Sequence, residues 1–263
     1  MSNSQPIGIF DSGVGGTSSW SEVVQLLPHE NSIYLADSKN APYGEKPIDI
    51  IIALSKKNTE KLLVMGCKII VVACNTATTN AIKYLRENYP VPFIGIEPAI
   101  KPAALKSQTK AIGILATKGT LSSELFTKTT ELYSKNRNFI EVEGKGLVKL
   151  IEERKQATPE MDLLLRSLLN PMVAAQIDYL VLGCCHYPYL LPKLKEILPA
   201  SLTIIDSGEA VARQTKNVLE HLNLLNKSNS KPVHQFYSNA DHNILEGLVE
   251  AQKNNLEVSY LDF

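Results

Sequence analysis

The sequence predicts an α/β protein with two similar, doubly wound domains, each built on a mostly parallel sheet. Short apolar runs rich in β-branched residues alternate along the chain with longer segments of helical periodicity. Two of these runs, at residues 69–73 and 179–183, stop at a cysteine and precede a helix-like segment. Because ligands collect at the carboxyl ends of parallel strands, we expect both thiols to lie in a cleft between the domains.

Nine apolar runs are predicted to be strands, and helices are predicted between them. The predicted strands cover residues 7–11, 33–37, 69–73, 93–97, 111–117, 139–143, 179–183, 202–206 and 234–239. The predicted helices cover residues 17–27, 47–65, 76–87, 121–134, 147–153, 159–176, 190–198, 207–222 and 243–252. These elements form two βα series, which favours two domains that meet at the carboxyl edges of their sheets.

The composition is typical of a globular protein and argues against a general binder of nucleic acids or membrane surfaces. Of the 263 residues, 44% are hydrophobic, and 27 basic residues balance 27 acidic ones. No apolar run approaches the roughly 20 residues of a membrane helix, and no signal peptide is expected. The four cysteines do not have the spacing typical of secreted, disulfide-bonded proteins, which favours a reducing cytoplasm. No metal site is predicted because no Cys-x-x-Cys pair is present.

A glycine-rich turn at residues 12–16 follows the first predicted strand, which ends at Asp11. Such a strand–loop–helix unit could present backbone N–H groups to an anion at a helix N-terminus. The spacing matches neither the dinucleotide-binding fingerprint nor the Walker A loop. A tight turn that needs glycine geometry is the alternative interpretation.

Two thiols that face each other across a carbon atom can act as an acid and a base. A thiolate accepts a proton and a thiol donates one near neutral pH, so Cys74 and Cys184 could invert a stereocentre without a cofactor. Fixed donors must then offset the negative charge that develops on the substrate. Donors of suitable type near the strand ends are Ser12, Asn75, Thr76 and the backbone of residues 13–16. Asp11 and His186, also at strand ends, could orient or activate a neighbouring thiol.

Three other interpretations stay open on the pattern alone. A single nucleophilic cysteine with His186 as its partner would suit a hydrolase or a transferase. The adjacent Cys184 and Cys185 could form a strained vicinal disulfide that acts as a redox switch. Both strand-end thiols could instead be small core residues, which is the role predicted for Cys67.

Five short motifs, in this order, resemble the glutamate racemase family of the cofactor-independent aspartate/glutamate racemase superfamily. They are DSGVGG at residues 11–16, PYG at 42–44, ACNTA at 73–77, GIEPA at 95–99 and LGCCHYP at 182–188. Each motif alone is modest support, but five in the right order favour this family over the other interpretations. The resemblance covers nearly the whole chain.

The resemblance implies an isomerase that interconverts L- and D-glutamate without a cofactor. It implies that Cys74 deprotonates D-glutamate and that Cys184 deprotonates L-glutamate. The auxiliary catalytic residues that it implies are Asp11, His186 and Glu152. The substrate contacts that it implies are Asp11, Ser12, Tyr43, Gly44, Asn75, Thr76, Cys185 and His186. A racemase for aspartate or another amino acid is the nearest alternative, and a non-catalytic amino-acid-binding protein is a distant one.

The resemblance also implies a division of the chain and a cellular role. The first domain is expected to comprise residues 1–97 and 208–263, and the second residues 98–207. D-Glutamate is a precursor of peptidoglycan, so a bacterial cytoplasmic enzyme of cell-wall synthesis is implied. Members of the family are often homodimers, and we expect a small-molecule substrate with no nucleic-acid or membrane partner.

Cys185 departs from the family pattern, which usually has threonine or serine at this position. That hydroxyl helps to bind the substrate carboxylate, and a thiol is a weaker hydrogen-bond donor. We expect substrate binding to survive with reduced affinity, so the KM for glutamate should fall in Cys185→Thr. An unchanged KM would mean that the side chain makes no contribution. The strand register and the motif both favour Cys184 over Cys185 as the acid/base group.

Overall fold

The computed structural model describes residues 3–228, 230–249 and 256–263, and in it the chain forms two sheets. The strands are β1 (Ile7–Asp11), β2 (Ser32–Ala36), β3 (Ile69–Val72), β4 (Phe93–Gly95), β5 (Ala111–Ala116), β6 (Asn138–Glu143), β7 (Tyr179–Gly183), β8 (Thr203–Ile205), β9 (His234–Ser238) and β10 (Leu256–Tyr260). The helices are α1 (Thr17–Leu26), α2 (Ile48–Val64), α3 (Asn75–Asn88), α4 (Ile100–Lys106), α5 (Lys118–Leu121), α6 (Glu124–Tyr133), α7 (Leu147–Glu152), α8 (Pro159–Ala174), α9 (Leu191–Ile197), α10 (Gly208–His221) and α11 (His242–Val249). All strand pairs in the described residues are parallel, which confirms the predicted fold class.

Helices cover both faces of the six-stranded sheet, whose order is β10-β9-β2-β1-β3-β4. Successive side chains of β3 alternate between the faces: Ile69 packs with α1 and α10, and Ile70 packs with α2 and α3. On the first face, Trp20 of α1 meets Phe236 of β9 edge-on, with ring centroids 4.7 Å apart. A sheet buried on both faces requires the continuous apolar strands that the sequence shows here.

The four-stranded sheet, with the order β6-β5-β7-β8, is covered in the same way. Leu180 and Leu182 of β7 pack against α8 and α9, and Val181 between them packs against α4 and α6. Cys184 follows this strand and lies on the side of Leu180, whereas Cys74 follows β3 and lies on the side of Ile70. Each sheet therefore contributes one of the two strand-end thiols.

The predicted elements differ from the structure in the segment 121–134, which was predicted as one helix. Its first residue, Leu121, is the last residue of α5, and α6 begins only at Glu124, because the side chain of Ser123 accepts a hydrogen bond from the Phe126 N–H and starts a new helix. Helix α4 was not predicted; its Pro102 lies in the first helical turn, where no N–H is needed. Strand β10 was also not predicted. Of the predicted helix 243–252, the last three positions lie outside the described residues.

The two sheets draw on different parts of the sequence. All strands of the four-stranded sheet lie between residues 111 and 205, and those of the six-stranded sheet lie at 7–95 and 234–260. The division into domains at residues 97/98 and 207/208 stays a prediction.

The helices are of the length usual in globular proteins. Helix α2 has 17 residues, and its charged Lys56 and Glu60 are exposed. Across residues 3–228, 230–249 and 256–263, none of the helices has both the length and the apolar surface needed to cross a bilayer.

A buried ion pair joins four segments at the end of the six-stranded sheet that is opposite the thiols. Lys68, directly before β3, places its Nζ 2.6 Å from Oε2 of Glu30. The same ammonium donates to the carbonyl oxygens of Asn3 and Leu224, at 2.9 and 2.7 Å. Oε1 of Glu30 accepts a hydrogen bond from the Asn226 N–H at 2.7 Å. Both charges are thus desolvated but compensated by several hydrogen bonds.

Candidate active site

One cavity lies between the two sheets, where the carboxyl ends of β1, β3, β5 and β7 meet. Its lining residues are Ser12, Pro42, Tyr43, Gly44, Cys74, Asn75, Thr76, Thr117, Val148, Cys184, Cys185 and His186. The space between them is about 10 Å³, close to the smallest cavity that holds one water molecule. The two sheets are therefore in close contact at this point.

Cys74 caps the N-terminus of helix α3. The Ala77 N–H donates to its sulfur at 3.5 Å, and this sulfur is 3.7 Å from Oγ of Ser12, to which it donates. The N-terminus of a helix carries partial positive charge and stabilises anionic groups. Strand β3 thus places the thiol on the wall of the cavity that the six-stranded sheet provides.

Asp11 ends β1 and holds the glycine-rich turn together. Its Oδ2 accepts hydrogen bonds from the N–H groups of Gly13 and Gly16, at 3.3 and 3.0 Å. The N–H of Val14 donates instead to Oε1 of Glu152, at 2.9 Å. These N–H groups bind carboxylates of the chain itself, so the predicted use of the turn as a site for an external anion is wrong for these donors.

A chain of contacts connects Cys184 to Glu152 through His186. The Cys184 sulfur lies 3.8 Å from Nδ1 of His186, and Nε2 of His186 lies 2.6 Å from Oε1 of Glu152. Both Cys184 and His186 are buried, and the carboxylate fixes the orientation of the imidazole ring. The structure therefore brings together the two auxiliary residues expected near Cys184.

The surroundings of Cys184 favour its thiolate. Burial raises the pKa of this thiol, but hydrogen bonds from Cys185 and His186 outweigh the burial and lower the pKa from 9.0 to about 6. Burial lowers the pKa of His186, yet its contacts with Cys184 and Glu152 raise it well above the usual 6.5. By contrast, burial without such partners raises the pKa of Cys67 to about 12. Cys67 is therefore an inert packing residue, as predicted.

Cys185 occupies the centre of the site. Its sulfur donates to Oδ1 of Asp11 at 3.2 Å and lies 3.5 Å from Nδ1 of His186. Burial, with further contributions from Cys184, Cys74 and Asp11, raises the pKa of the Cys185 thiol well above 9.0. The Asp11 carboxylate was predicted to assist a strand-end thiol, and the thiol that donates a hydrogen bond to it is that of Cys185.

Tyr43 and Gly44 reach the cavity from the loop after β2. The Tyr43 hydroxyl donates to Oδ2 of Asp37 at 2.5 Å and accepts from Nδ2 of Asn58 at 3.0 Å, so it is already engaged in a buried network. A Cβ on Gly44 would lie 2.8 Å from Cβ of Thr117, which explains why glycine stands where the two sheets touch.

Asn75 and Thr76 form the first turn of α3. The Asn75 Nδ2 donates to the carbonyl of Ile96 at 3.4 Å, and its Oδ1 is a buried atom without a hydrogen-bond partner among the described residues. Unpaired buried acceptors are rare and often mark ligand sites. The Thr76 hydroxyl lies 2.8 Å from that of Thr117, across the boundary between the sheets.

Three lining residues were not predicted. Thr117 directly follows β5, so the rule that found Cys74 and Cys184 would also have found it. Pro42 belongs to the PYG motif at 42–44, in which only Tyr43 and Gly44 were predicted to contact the substrate. Val148 lies on α7 near Glu152, and no pattern in the sequence marks it. Of the predicted site residues, Asp11 and Glu152 lie behind the lining, where they contact Cys185 and His186.

Two glycines of the turn permit the four-stranded sheet to approach. A Cβ on Gly13 would lie 2.1 Å from Oε1 of Glu152, and a Cβ on Gly15 would lie 2.2 Å from Nδ1 of His186. Both distances are far below van der Waals contact, so any side chain at these positions would displace the carboxylate or the imidazole.

Comparison with known proteins identifies the family. The model of the Asp/Glu/hydantoin racemase family matches residues 16–215. The chain is 45% identical to a glutamate racemase of Cupriavidus pinatubonensis over 91% of this chain and 88% of that protein. A glutamate racemase structure from Bacillus anthracis superposes with a TM-score of 0.87 at 30% identity, covering 98% of each chain. The Escherichia coli glutamate racemase, solved with L-glutamate and the activator UDP-MurNAc-ala, superposes with a TM-score of 0.86 at 31% identity, covering 98% of each chain. The chain therefore belongs to the Asp/Glu/hydantoin racemase family and groups with its glutamate racemases, which are isomerases.

Proposed function

We propose that this protein interconverts L- and D-glutamate by proton transfer between two cysteines and the α-carbon of the substrate. The observation that carries the proposal is the placement of Cys74 and Cys184 on opposite walls of one cavity, each at the end of a strand from a different sheet. The glutamate racemases of Cupriavidus pinatubonensis and Ralstonia nicotianae, 45% and 43% identical to this chain, support glutamate as the substrate.

In the direction from L- to D-glutamate, the Cys184 thiolate removes the α-proton. The C–H bond breaks, an S–H bond forms, and the electron pair stays on the α-carbon, delocalised into the carboxylate. The Cys74 thiol then gives its proton to the opposite face and becomes a thiolate. The reverse direction exchanges the two roles, so charge and protons balance without a cofactor.

Polar groups around the cavity are suited to the charges of the substrate. The unpaired Oδ1 of Asn75 is an acceptor for the ammonium group, and the hydroxyls of Ser12 and Thr76 are donors for a carboxylate. Such fixed groups stabilise the carbanion because they need no reorientation during the reaction.

The substrate requires more room than the cavity offers. A volume of about 10 Å³ is far smaller than glutamate, so the two sheets must move apart before binding and close again for the reaction. The close contacts at Gly13, Gly15 and Gly44 then become those of the closed state, which excludes water from the carbanion.

The pKa of Cys184 predicts the acid limb of the pH profile. Below pH about 6, Cys184 becomes protonated and the site loses its thiolate, so kcat/KM should fall. Because the two enantiomers have equal free energies, the fall should occur at the same pH in both directions. Replacing His186 by asparagine removes the imidazole that lowers the pKa of Cys184, so the limb should move to higher pH, toward the ordinary thiol value of 9.0. Profiles of kcat/KM from pH 5 to 9 measure this, and an unmoved limb in His186→Asn would contradict the assignment.

A chiral assay tests the function itself. Purified protein is incubated separately with each enantiomer of glutamate and of aspartate, in D₂O, and product chirality and deuterium at the α-carbon are followed. We expect glutamate to racemize with deuterium incorporation in both directions. A higher kcat/KM for aspartate would make this an aspartate racemase, and tight glutamate binding without exchange would indicate a non-catalytic binding protein.

The product also indicates a cellular role. We propose that the enzyme works in the bacterial cytoplasm and supplies D-glutamate for peptidoglycan. Depletion in the source bacterium should cause loss of cell shape that added D-glutamate reverses. Sedimentation of the purified protein tests the expected homodimer.

A further inference from the structure

Cys185 turns the centre of the site into a cluster of metal-binding atoms. Its sulfur and the donor atoms of Cys184 and His186 all lie within 4.8 Å of one another, and all three residues are buried. The sulfur of Cys185 also belongs to a second set, with Asp11 and Cys74, in which the donors meet the same limit. Cys185 is the only member shared by these two sets.

The spacing in the first set suits a tetrahedral zinc site. The Nδ1 atom of His186 lies 3.5 Å from the Cys185 sulfur and 3.8 Å from the Cys184 sulfur. With Zn–S bonds of about 2.3 Å and Zn–N bonds of about 2.0 Å, tetrahedral geometry separates neighbouring donors by about 3.5–3.8 Å. Both sulfur–nitrogen distances therefore already fall in the range that zinc needs, and the two sulfurs lie within 4.8 Å of each other.

The His186 imidazole is also supported by a carboxylate, as metal-binding histidines often are. Nε2 of His186 is 2.6 Å from Glu152, whose carboxylate is itself fixed by the Val14 N–H. Metal-binding histidines usually donate their second N–H to a carboxylate in this way, which directs the other nitrogen at the metal. Here that other nitrogen is Nδ1, which faces both thiols.

We propose that Cys184, Cys185 and His186 bind one borderline-soft divalent cation, with Zn²⁺ as the best fit, and leave the fourth position open. A metal-bound cysteine is a thiolate and a metal-bound histidine is neutral, so binding releases whatever protons these three ligands carry. If the proposed racemization is correct, the bound ion also inhibits it, because Cys184 as a ligand cannot accept the α-proton. Zn²⁺ and glutamate then compete for the same site.

Metal binding is measured on the full-length protein, reduced with a phosphine and stripped of metal by a chelator. Zn²⁺ affinity is determined by competition with a chromogenic chelator, and Co²⁺ is added separately to detect thiolate–metal charge-transfer absorption. We expect one ion per chain. Cys185→Ser keeps the size of the side chain but removes the sulfur, so affinity should fall by about 100-fold or more and the absorption band should weaken.

Cys74→Ser and Cys67→Ala serve as controls, because neither residue belongs to the proposed ligand set. Both should bind Zn²⁺ within a few-fold of the unchanged protein, while circular dichroism confirms that all variants are folded. The proposal is overturned if the unchanged protein binds no Zn²⁺, or if folded Cys185→Ser binds it equally well. Loss of binding in Cys74→Ser but not in His186→Asn would overturn the assignment in favour of the set with Asp11. Because the readout is metal binding, it stays valid whether or not glutamate is the substrate.

Discussion

Replacing either Cys74 or Cys184 by serine is expected to slow racemization by about 10²- to 10⁴-fold, the usual contribution of a positioned acid or base. A serine hydroxyl keeps the size of the side chain but does not ionise near neutral pH, so one face of the α-carbon loses its base. The equal free energies of the enantiomers require the same factor for kcat/KM in both directions. Initial rates from L- and D-glutamate, measured by circular dichroism, test this.

Isotope exchange shows which thiol serves which enantiomer. In Cys184→Ser, Cys74 can still remove the α-proton of D-glutamate and return a deuteron to the same face. D-Glutamate should therefore gain deuterium faster than it racemizes, and L-glutamate should gain none beyond its racemization. Cys74→Ser should show the opposite preference.

Two further variants guard this result. Cys67→Ala removes a buried thiol outside the site and should keep normal kcat, which excludes a general effect of losing a cysteine. Cys185→Ser separates the adjacent thiols. If Cys184→Ser stayed fully active while Cys185→Ser lost racemization, the acid/base assignment would move to Cys185.

Lys68→Met is expected to lower the free energy of unfolding by about 3–5 kcal/mol. The substitution leaves the Glu30 carboxylate beside an apolar side chain. The Glu30 side chain is only 3% exposed, so water cannot replace the lost ammonium. The carbonyl oxygens of Asn3 and Leu224 lose their donor as well. Urea unfolding at pH 7 measures the change.

A matched exposed lysine gives the comparison. Lys56 forms an ion pair with Glu60 at 3.8 Å on the surface of α2, with about half of each side chain exposed. Lys56→Met should cost less than about 1 kcal/mol, because solvent screens such pairs. Adding Glu30→Leu to Lys68→Met removes the isolated charge and should recover part of the stability. If Lys68→Met lowered the free energy of unfolding by less than about 1 kcal/mol, Lys68 would not be needed to compensate the buried Glu30 carboxylate.

The strand-end rule explains why much of the site could be predicted from sequence. Cys74 and Cys184 each follow an apolar strand by one or two residues, and parallel sheets place such positions at one edge. The rule depends only on local pattern, so it needs no knowledge of the tertiary structure. The same rule covers Asp11, Ser12 and Thr117.

The remaining features depend on contacts between distant residues. Glu152 lies on a helix, 34 positions before His186 in the chain, and only the family resemblance singled it out. The sequence of the glycine-rich turn indicated free backbone N–H groups. It did not indicate that the carboxylates of Asp11 and Glu152 would accept their hydrogen bonds. The low pKa of Cys184 results from hydrogen bonds with Cys185 and His186 that outweigh the opposing effect of burial. The direction of these side chains in the folded site decides that balance, and residue spacing does not give it.

The pairing of β2 with β9 has a consequence for synthesis of the chain. Ser32 lies opposite His234, so the six-stranded sheet cannot be completed until the ribosome has made residues 234–260. The four-stranded sheet has all its strands by residue 205 and is expected to fold first. Until β9 has been made, the free edge of β2 can pair with other chains. Pairing between strands so far apart in the sequence also forms slowly. In the nascent protein the N-terminal strands therefore lack the cover of β9 and β10 during synthesis, and aggregation is most expected in that period.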